Sequence, residues 1–236
     1  MAGPARQGGL IVDAVLPALD EERSLPPVLE ALRHKVRRAI VVDNGSRDRT
    51  AEVARRSGAE VVVEPRRGYG AACLAGIARL AADPPDVVAF LDADGSDDPD
   101  ELPSLLGPIA RGEADLVLGS RTLGPREPGS LSLQQRAGNA LATGLIAHLF
   151  KHRYSDLGPF RAIVFEKMRD LGMRDRGYGW TVEMQVRALR SGLRVVEVPV
   201  RYRRRTAGRS KVSRTLRGTV GAGATILWTI ARHAIF

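Results

Sequence analysis

The chain has 236 residues, of which 44% are hydrophobic and 27% charged, with a formal net charge of +9. That is room for one sizeable domain, and the single cysteine, Cys73, excludes an internal disulfide. All nine Lys and Arg beyond charge balance fall after residue 200, where there is no acid; with no aromatic stacking platform beside them, they argue against a nucleic-acid partner.

Residues 1–9 are short and polar and lack the apolar core of a signal peptide. We read them as a disordered leader on a cytoplasmic protein. Residues 10–16 form the first apolar, strand-like run. It ends in Pro17-Ala18-Leu19-Asp20-Glu21-Glu22, whose acids either face a ligand or enrich the first turn of a helix over 24–35. The next strand, 39–42, leads into Asp43-Asn44-Gly45-Ser46, with Asp43 at the strand edge where a ligand could meet it. Asn44-Gly45 permits a sharp turn, and Asp48 can cap a helix over 50–57. After a strand at 60–63, Arg66-Arg67-Gly68-Tyr69-Gly70 places cations and glycines just before a helix over 69–82. That arrangement suits an anion held near a helix N-terminus. Cys73 lies in this Ala-rich helix and reads as a small buried residue. Gly58 and Gly112 suit the positions just past helix ends.

A strand at 87–91 runs directly into Asp92-Ala93-Asp94-Gly95-Ser96-Asp97-Asp98. Like charges repel and Asp is a poor strand former, so this cluster is costly for a fold alone. A hard divalent cation, Mg²⁺ or Mn²⁺, relieves the repulsion by taking one or two carboxylates plus substrate phosphate oxygens. The Asp92/Asp94 pair sits at a strand's C-terminal end, where open α/β sheets bind ligands. Asp97 and Asp98 have a second reading, as caps of the helix over 99–111. Another strand follows at 115–118. Val- and Ile-rich strands alternating with helices predict an α/β fold, a mostly parallel sheet with helices on both faces.

The second half is less regular. A long helix covers 133–150, with Arg136-Ala137-Gly138-Asn139 near its start. A strand at 160–165, a helix at 181–190 and an alternating strand at 193–202 follow. The basic stretch from Arg201 to Lys211 suits phosphate groups, because Arg adds bidentate donors. Residues 218–231 carry no charge, but a spanning helix needs about 20 apolar residues. We read this run as an interfacial helix flanked by Arg214, Arg217 and Arg232, in a C-terminal segment 213–236 that follows one domain at 10–212. The other reading is a terminal helix packed on the domain.

The order Pro17…Asp20-Glu21, Asp43-Asn44-Gly45-Ser46…Asp48…Thr50, Gly68…Gly70-Ala71-Ala72, Asp92-Ala93-Asp94 and Gly119-Ser120-Arg121 closely resembles family-2 glycosyltransferases. Within them the chain looks like dolichyl-phosphate (polyprenyl-phosphate) mannose and glucose synthases. The resemblance implies a GT-A fold, a nucleotide-diphosphate sugar donor of the GDP-mannose or UDP-glucose type, Mg²⁺ or Mn²⁺, and inversion at the anomeric carbon. It implies a donor site made of Pro17, Ala18, Asp20, Glu21, Asp43, Gly45, Ser46, Gly68, Tyr69, Gly70, Asp92 and Ala93. Asp92 and Asp94 would hold the metal, and Arg121 would face the leaving diphosphate. Asp156 to Arg161 resembles the acceptor-side loop, and Arg136, Arg209, Ser210 and Lys211 would hold an acceptor phosphate. Glu183 falls where many relatives carry the acidic residue beside the reacting centre. The family often has Asn in place of Asp20, and its dolichol-type members often have Gln near Ser96.

These readings together predict a hexosyltransferase acting on a polyprenyl phosphate, peripheral on the inner face of the membrane and in contact with its anionic surface. One alternative is transfer to a sugar or small-metabolite hydroxyl with Glu183 as base. The other is a non-catalytic nucleotide-sugar or membrane-binding module, against which the intact Asp92 and Asp94 argue.

Overall fold

A computed structural model describes residues 6–7, 9–207 and 216–235. Among the described residues eight strands form the sheet: β1 (Arg6–Gln7), β2 (Leu10–Ala18), β3 (Arg38–Asp43), β4 (Glu60–Val63), β5 (Val87–Phe90), β6 (Leu116–Ser120), β7 (Arg161–Val164) and β8 (Val195–Pro199). Their order is β4-β3-β2-β5-β7-β6-β8, with β1 paired antiparallel to β2. The helices are α1 (Leu25–Leu32), α2 (Thr50–Arg56), α3 (Tyr69–Leu80), α4 (Leu102–Ala110), α5 (Leu133–Phe150), α6 (Phe165–Asp170), α7 (Trp180–Arg190) and α8 (Leu216–Ile235).

β4, β3, β2 and β5 are parallel, as are β6 and β8. Every residue of β5 and β6 is buried, as apolar strands covered on both faces must be. Alternation along β2 feeds two cores. Val12, Ala14 and Leu16 join Leu25, Leu29 and Leu105 of α1 and α4 on one face. Val15 joins Cys73, Leu80, Trp180 and Met184 of α3 and α7 on the other. The parallel strands all point their C-terminal ends to one edge, which places the loops after β2, β3 and β5 side by side.

The structure departs from the sequence expectations in three places. Arg6–Gln7 pair with Leu10 and Ile11 instead of lying free of the sheet. β7 runs antiparallel between β5 and β6, and the run at 160–165 breaks at Phe165 to start α6. The helix foreseen over 99–111 is a 3₁₀ turn at Pro99–Glu101 followed by α4. The turn is capped by Asp98, whose side chain accepts from the Asp100 amide at 3.2 Å, so the capping reading describes Asp98. At the C-terminal run, left open between two readings, α8 packs against α5 and α7. Ile230 is fully buried there, and Arg190 Nη1 donates to the His233 carbonyl at 2.8 Å. Among the described residues no helix is long and apolar enough to cross a membrane.

Candidate active site

A cleft of about 950 Å³ opens where the loops after β2, β3 and β5 meet, and it reaches α5 and α7 on its other side. Side chains in one loop hold the backbone of the next. Asp20 sits at φ 52°, a left-handed conformation that Asp tolerates through local hydrogen bonds. Its Oδ1 accepts from the Arg47 amide at 2.7 Å, and its own amide donates to Ser46 Oγ at 3.0 Å. The Glu21 amide donates to Thr50 Oγ1 at 2.8 Å, and the Glu22 amide to Asp48 Oδ2 at 3.2 Å. The Pro17–Glu22 and Asp43–Thr50 stretches are therefore one structural unit. Asp43 Oδ1 accepts from the Ser46 amide at 2.9 Å, so Asp43 and Ser46 brace this unit and Gly45 turns the chain between them at φ 83°, whereas Pro17, Ala18, Asp20 and Glu21 line the cleft.

Asn44, whose pairing with Gly45 marks only a turn in the sequence, also lines the cleft. Its Nδ2 donates to the carbonyls of Glu64 and Arg66, and its Oδ1 accepts from the Gly68 amide at 2.8 Å. It fixes the path into α3. The anion site expected at that helix start is corrected by the hydrogen bonding. The Gly70 amide donates to the Gly177 carbonyl at 3.1 Å and the Ala71 amide to the Arg176 carbonyl at 2.9 Å. A Cβ at Gly68 or Gly70 would lie 2.1 or 2.2 Å from the carbonyl oxygens of Arg176 and Asp175. The glycines serve close packing against the 175–177 loop, and that loop, not an anion, occupies the helix end. Gly68 and Tyr69 still face the cleft.

Asp92, Ala93 and Asp94 line the opposite wall. Burial, and then the charges of Asp94 and Asp97, push the Asp92 carboxyl well above its usual range. Burial also raises Asp97 to about 7. Asp97 Oδ2 accepts from the Asp92 amide at 3.0 Å, while its Oδ1 is buried without a hydrogen-bond partner. Asp94 Oδ1 accepts from the Ser96 amide at 2.8 Å, and its Oδ2 lies 2.8 Å from Arg205 Nη2. The other arm of Arg205 donates to Glu21. Arg205 thus bridges the β2 and β5 loops across the acidic wall. The stretch before it is laid along residues 94–98. The Arg203 amide donates to the Ser96 carbonyl and the Thr206 amide to the Asp94 carbonyl, while Arg201 and Arg203 pair with Asp98. Arg201, Arg203 and Arg205 are therefore occupied by the protein's own acids, whereas the Arg204 guanidinium donates to the Pro128 carbonyl and lines the cleft. Arg209, Ser210 and Lys211 lie outside the described residues.

Arg121 faces the cleft from the end of β6 and is gripped by Asp156, with Nε–Oδ2 at 2.7 Å and Nη2–Oδ1 at 2.8 Å. Its guanidinium also stacks 5.1 Å from the centre of the Tyr202 ring. Arg136 is exposed on the first turns of α5. Glu183 does not join the site. Its side chain is fully buried, accepts from the Arg174 and Asp175 amides at 3.0 and 2.7 Å, and pairs with Arg187 Nε at 3.0 Å. It is the anchor of the 174–175 loop and does not line the cleft, so the expected base is corrected to a structural carboxylate. On α7 it is Thr181 that reaches the cleft.

A family model described as Glycosyl transferase family 2 matches residues 13–174. An uncharacterized glycosyltransferase of Mycobacterium tuberculosis is 46% identical over 220 residues, 93% of this chain and 95% of that one. An undecaprenyl-phosphate mannosyltransferase of Micrococcus luteus is 32% identical over 229 residues, 92% of this chain and 93% of that one. Glucosyl-3-phosphoglycerate synthase from M. tuberculosis, solved in complex with Mn²⁺, UDP and glucosyl-3-phosphoglycerate, superimposes with a TM-score of 0.76 at 26% identity, over 98% of this chain and 82% of that one.

Proposed function

The chain belongs to glycosyl transferase family 2, and we propose that it moves a hexose from a nucleotide-diphosphate sugar to a polyprenyl phosphate with inversion at the anomeric carbon. One observation carries the choice of acceptor. The cleft presents acids and guanidinium groups, but the carboxylate expected to act as base, Glu183, is buried outside it. A phosphate acceptor, with a second pKa of about 6, is largely ionised near neutral pH and needs no strong base. The relative named as an undecaprenyl-phosphate mannosyltransferase, matched over nearly its whole length, supports this reading.

In this proposal Pro17, Ala18, Glu21, Gly68 and Tyr69 frame the nucleotide, while Asp43 and Ser46 brace the loop beneath it and Gly45 turns it. Gly70 keeps the start of α3 close to the 175–177 loop. Asp92 and Ala93 face the ribose and diphosphate. Asp92 and Asp94 fit a Mg²⁺ or Mn²⁺ ion, because both face the cleft and the raised Asp92 carboxyl and orphaned Asp97 oxygen mark uncompensated negative charge. Among the described residues no group of three or more His, Cys, Asp or Glu side chains is arranged to hold a metal by itself, so phosphate oxygens of the donor would complete the shell. Bound there, the ion supplies charge neutralisation for the departing diphosphate. Arg121, fixed by Asp156, offsets the same charge from the other side. Arg136, Arg209, Ser210 and Lys211 hold the acceptor phosphate.

The likeness to glucosyl-3-phosphoglycerate synthase favours a second reading, a small phosphorylated metabolite as acceptor. A matrix of GDP-mannose, UDP-glucose and UDP-GlcNAc against undecaprenyl phosphate and 3-phosphoglycerate, with Mn²⁺ or Mg²⁺ supplied, separates the two. Product only with the metabolite would overturn the polyprenyl reading. Donor binding without any transfer or hydrolysis would favour a non-catalytic module.

A further inference from the structure

We propose that the outward face of α5, continued by Trp228 of α8, is the surface on which this protein lies against an anionic lipid bilayer; the inference rests on the polyprenyl-phosphate reading. α5 carries one charged residue, Arg136, in its 18 positions. At about 100° per residue, Leu133, Ala137, Ala140, Leu141, Gly144 and His148 share one side of the helix. Its buried residues, Ala142 and Ile146, lie on the other. All six are exposed, Leu133 at 78% and Leu141 at 60%. Helices that face water put charges there. In this molecule α2 does so, since its exposed residues are Glu52, Arg55 and Arg56. Beside α5, Trp228 is 67% exposed, and Trp is enriched where protein meets the headgroup layer.

The charge around this face selects its partner. There is no Asp or Glu between Glu127 and Asp156, and none in α8. Arg136 of α5, Lys151 and Arg153 just past its end, and Arg232 of α8 are exposed. An apolar strip on elements that carry cations and no acid matches the pattern of interfacial helices on anionic lipid; the nearby Asp175 is engaged by Thr229 of α8. A second copy of the chain is a poorer fit, because a two-fold contact would set these cations against one another with no acid to meet them. Ser132 and Gln135 at the start of α5, Tyr178, and Ile226 of α8 line the cleft. A lipid-borne phosphate therefore reaches the cleft without leaving the bilayer surface.

The test is co-sedimentation of the full chain with phosphatidylglycerol/phosphatidylcholine vesicles. We expect binding that weakens as salt rises. Replacing Leu133→Glu and Leu141→Glu together should reduce the bound fraction at least about tenfold at unchanged thermal midpoint, since both side chains already face water. Trp228→Ala should reduce it less. Vesicle binding by the double variant equal to that of the unaltered chain overturns the proposal, as does the absence of vesicle binding by the unaltered chain. A dimer in sedimentation velocity that the double variant dissolves also overturns it, in favour of contact between copies. Transfer to a short-chain, water-soluble polyprenyl phosphate, run in parallel, separates the two readings. Its retention in the double variant is expected. Its absence from the unaltered chain, with vesicle binding intact, defeats the acceptor reading and leaves the surface standing.

Discussion

Glu183 and the Asp92–Asp98 segment are both buried acidic regions, and they are settled in different ways. Glu183 is held by two consecutive backbone amides, of Arg174 and Asp175, and by the Arg187 guanidinium. Its charge is met from within the α7 neighbourhood. Around Asp92 the account stays open. Its carboxyl is pushed up by burial and by Asp94 and Asp97, and one Asp97 oxygen has no partner. The nearest relief comes from a guanidinium 184 residues distant in sequence from its other partner, Glu21. Burial of an acid does not by itself mark a reactive site. What separates these two regions is whether the protein's own donors meet every carboxylate oxygen, as at Glu183, or leave one without a partner, as at Asp97.

The largest effect should come from emptying the open region. Asp94→Ala is expected to lower turnover by on the order of 10³-fold, while the thermal midpoint holds. Near-normal hexosyl transfer by that variant in metal-free buffer would erase the distinction drawn here. Glu183→Ala should behave oppositely. Removing one member of a buried pair costs about 3 kcal/mol or more, so the midpoint of unfolding in urea should fall. Protein that remains folded in the cold should keep its kcat within severalfold. A specific loss of kcat at full stability would return Glu183 to the chemistry.

Arg205 gives a finer test. As it already occupies Asp94 and Glu21, Arg205→Ala should tighten Mn²⁺ binding in the absence of nucleotide by about 5-fold, the low end of coupling between sites. Calorimetry reads this directly. Arg203→Ala removes an equal charge from Asp98 and should leave Mn²⁺ affinity nearly unchanged; equal tightening in both variants would reduce Arg205 to general electrostatics. The smallest effect concerns pH. Asp97 titrates near 7 in the folded chain against an ordinary 3.8, so the folded state holds its proton more tightly. That contribution to stability is complete below about 3.8 and is lost as pH rises to about 7. The difference in thermal midpoint between the metal-free chain and Asp97→Asn should therefore favour the variant increasingly over that window. A difference that does not vary with pH would show that Asp97 is not the group responsible.

The sequence made the donor half legible because each of its signals is local. Val- and Ile-rich runs mark the strands, and each strand passes directly into the loop that carries chemistry. The acceptor half rests on partners that no local pattern announces. Nothing in the run at 160–165 says that β7 enters antiparallel. Helical spacing around Glu183 does not say that it turns towards the Arg174 and Asp175 amides. The glycines at 68 and 70 read as an anion loop because the carbonyls that fill it lie more than a hundred residues later. The same distance hides the pairing of the arginine cluster, since Arg201 meets Asp98 across 103 residues.

The place of β7 also has a consequence for how the molecule is made. Synthesis delivers β4, β3, β2 and β5 early, and these can pair among themselves. The outer edge of β5 then stays open until Arg161–Val164 emerges, and β6 is released before either of its neighbours, β7 and β8. β5 is apolar throughout and β6 is apolar up to Leu118, the type of surface that seeds association between unfinished chains. The interval between Ser120 and Arg161 is therefore when both strand edges stand open, and a chain truncated within it is expected to aggregate.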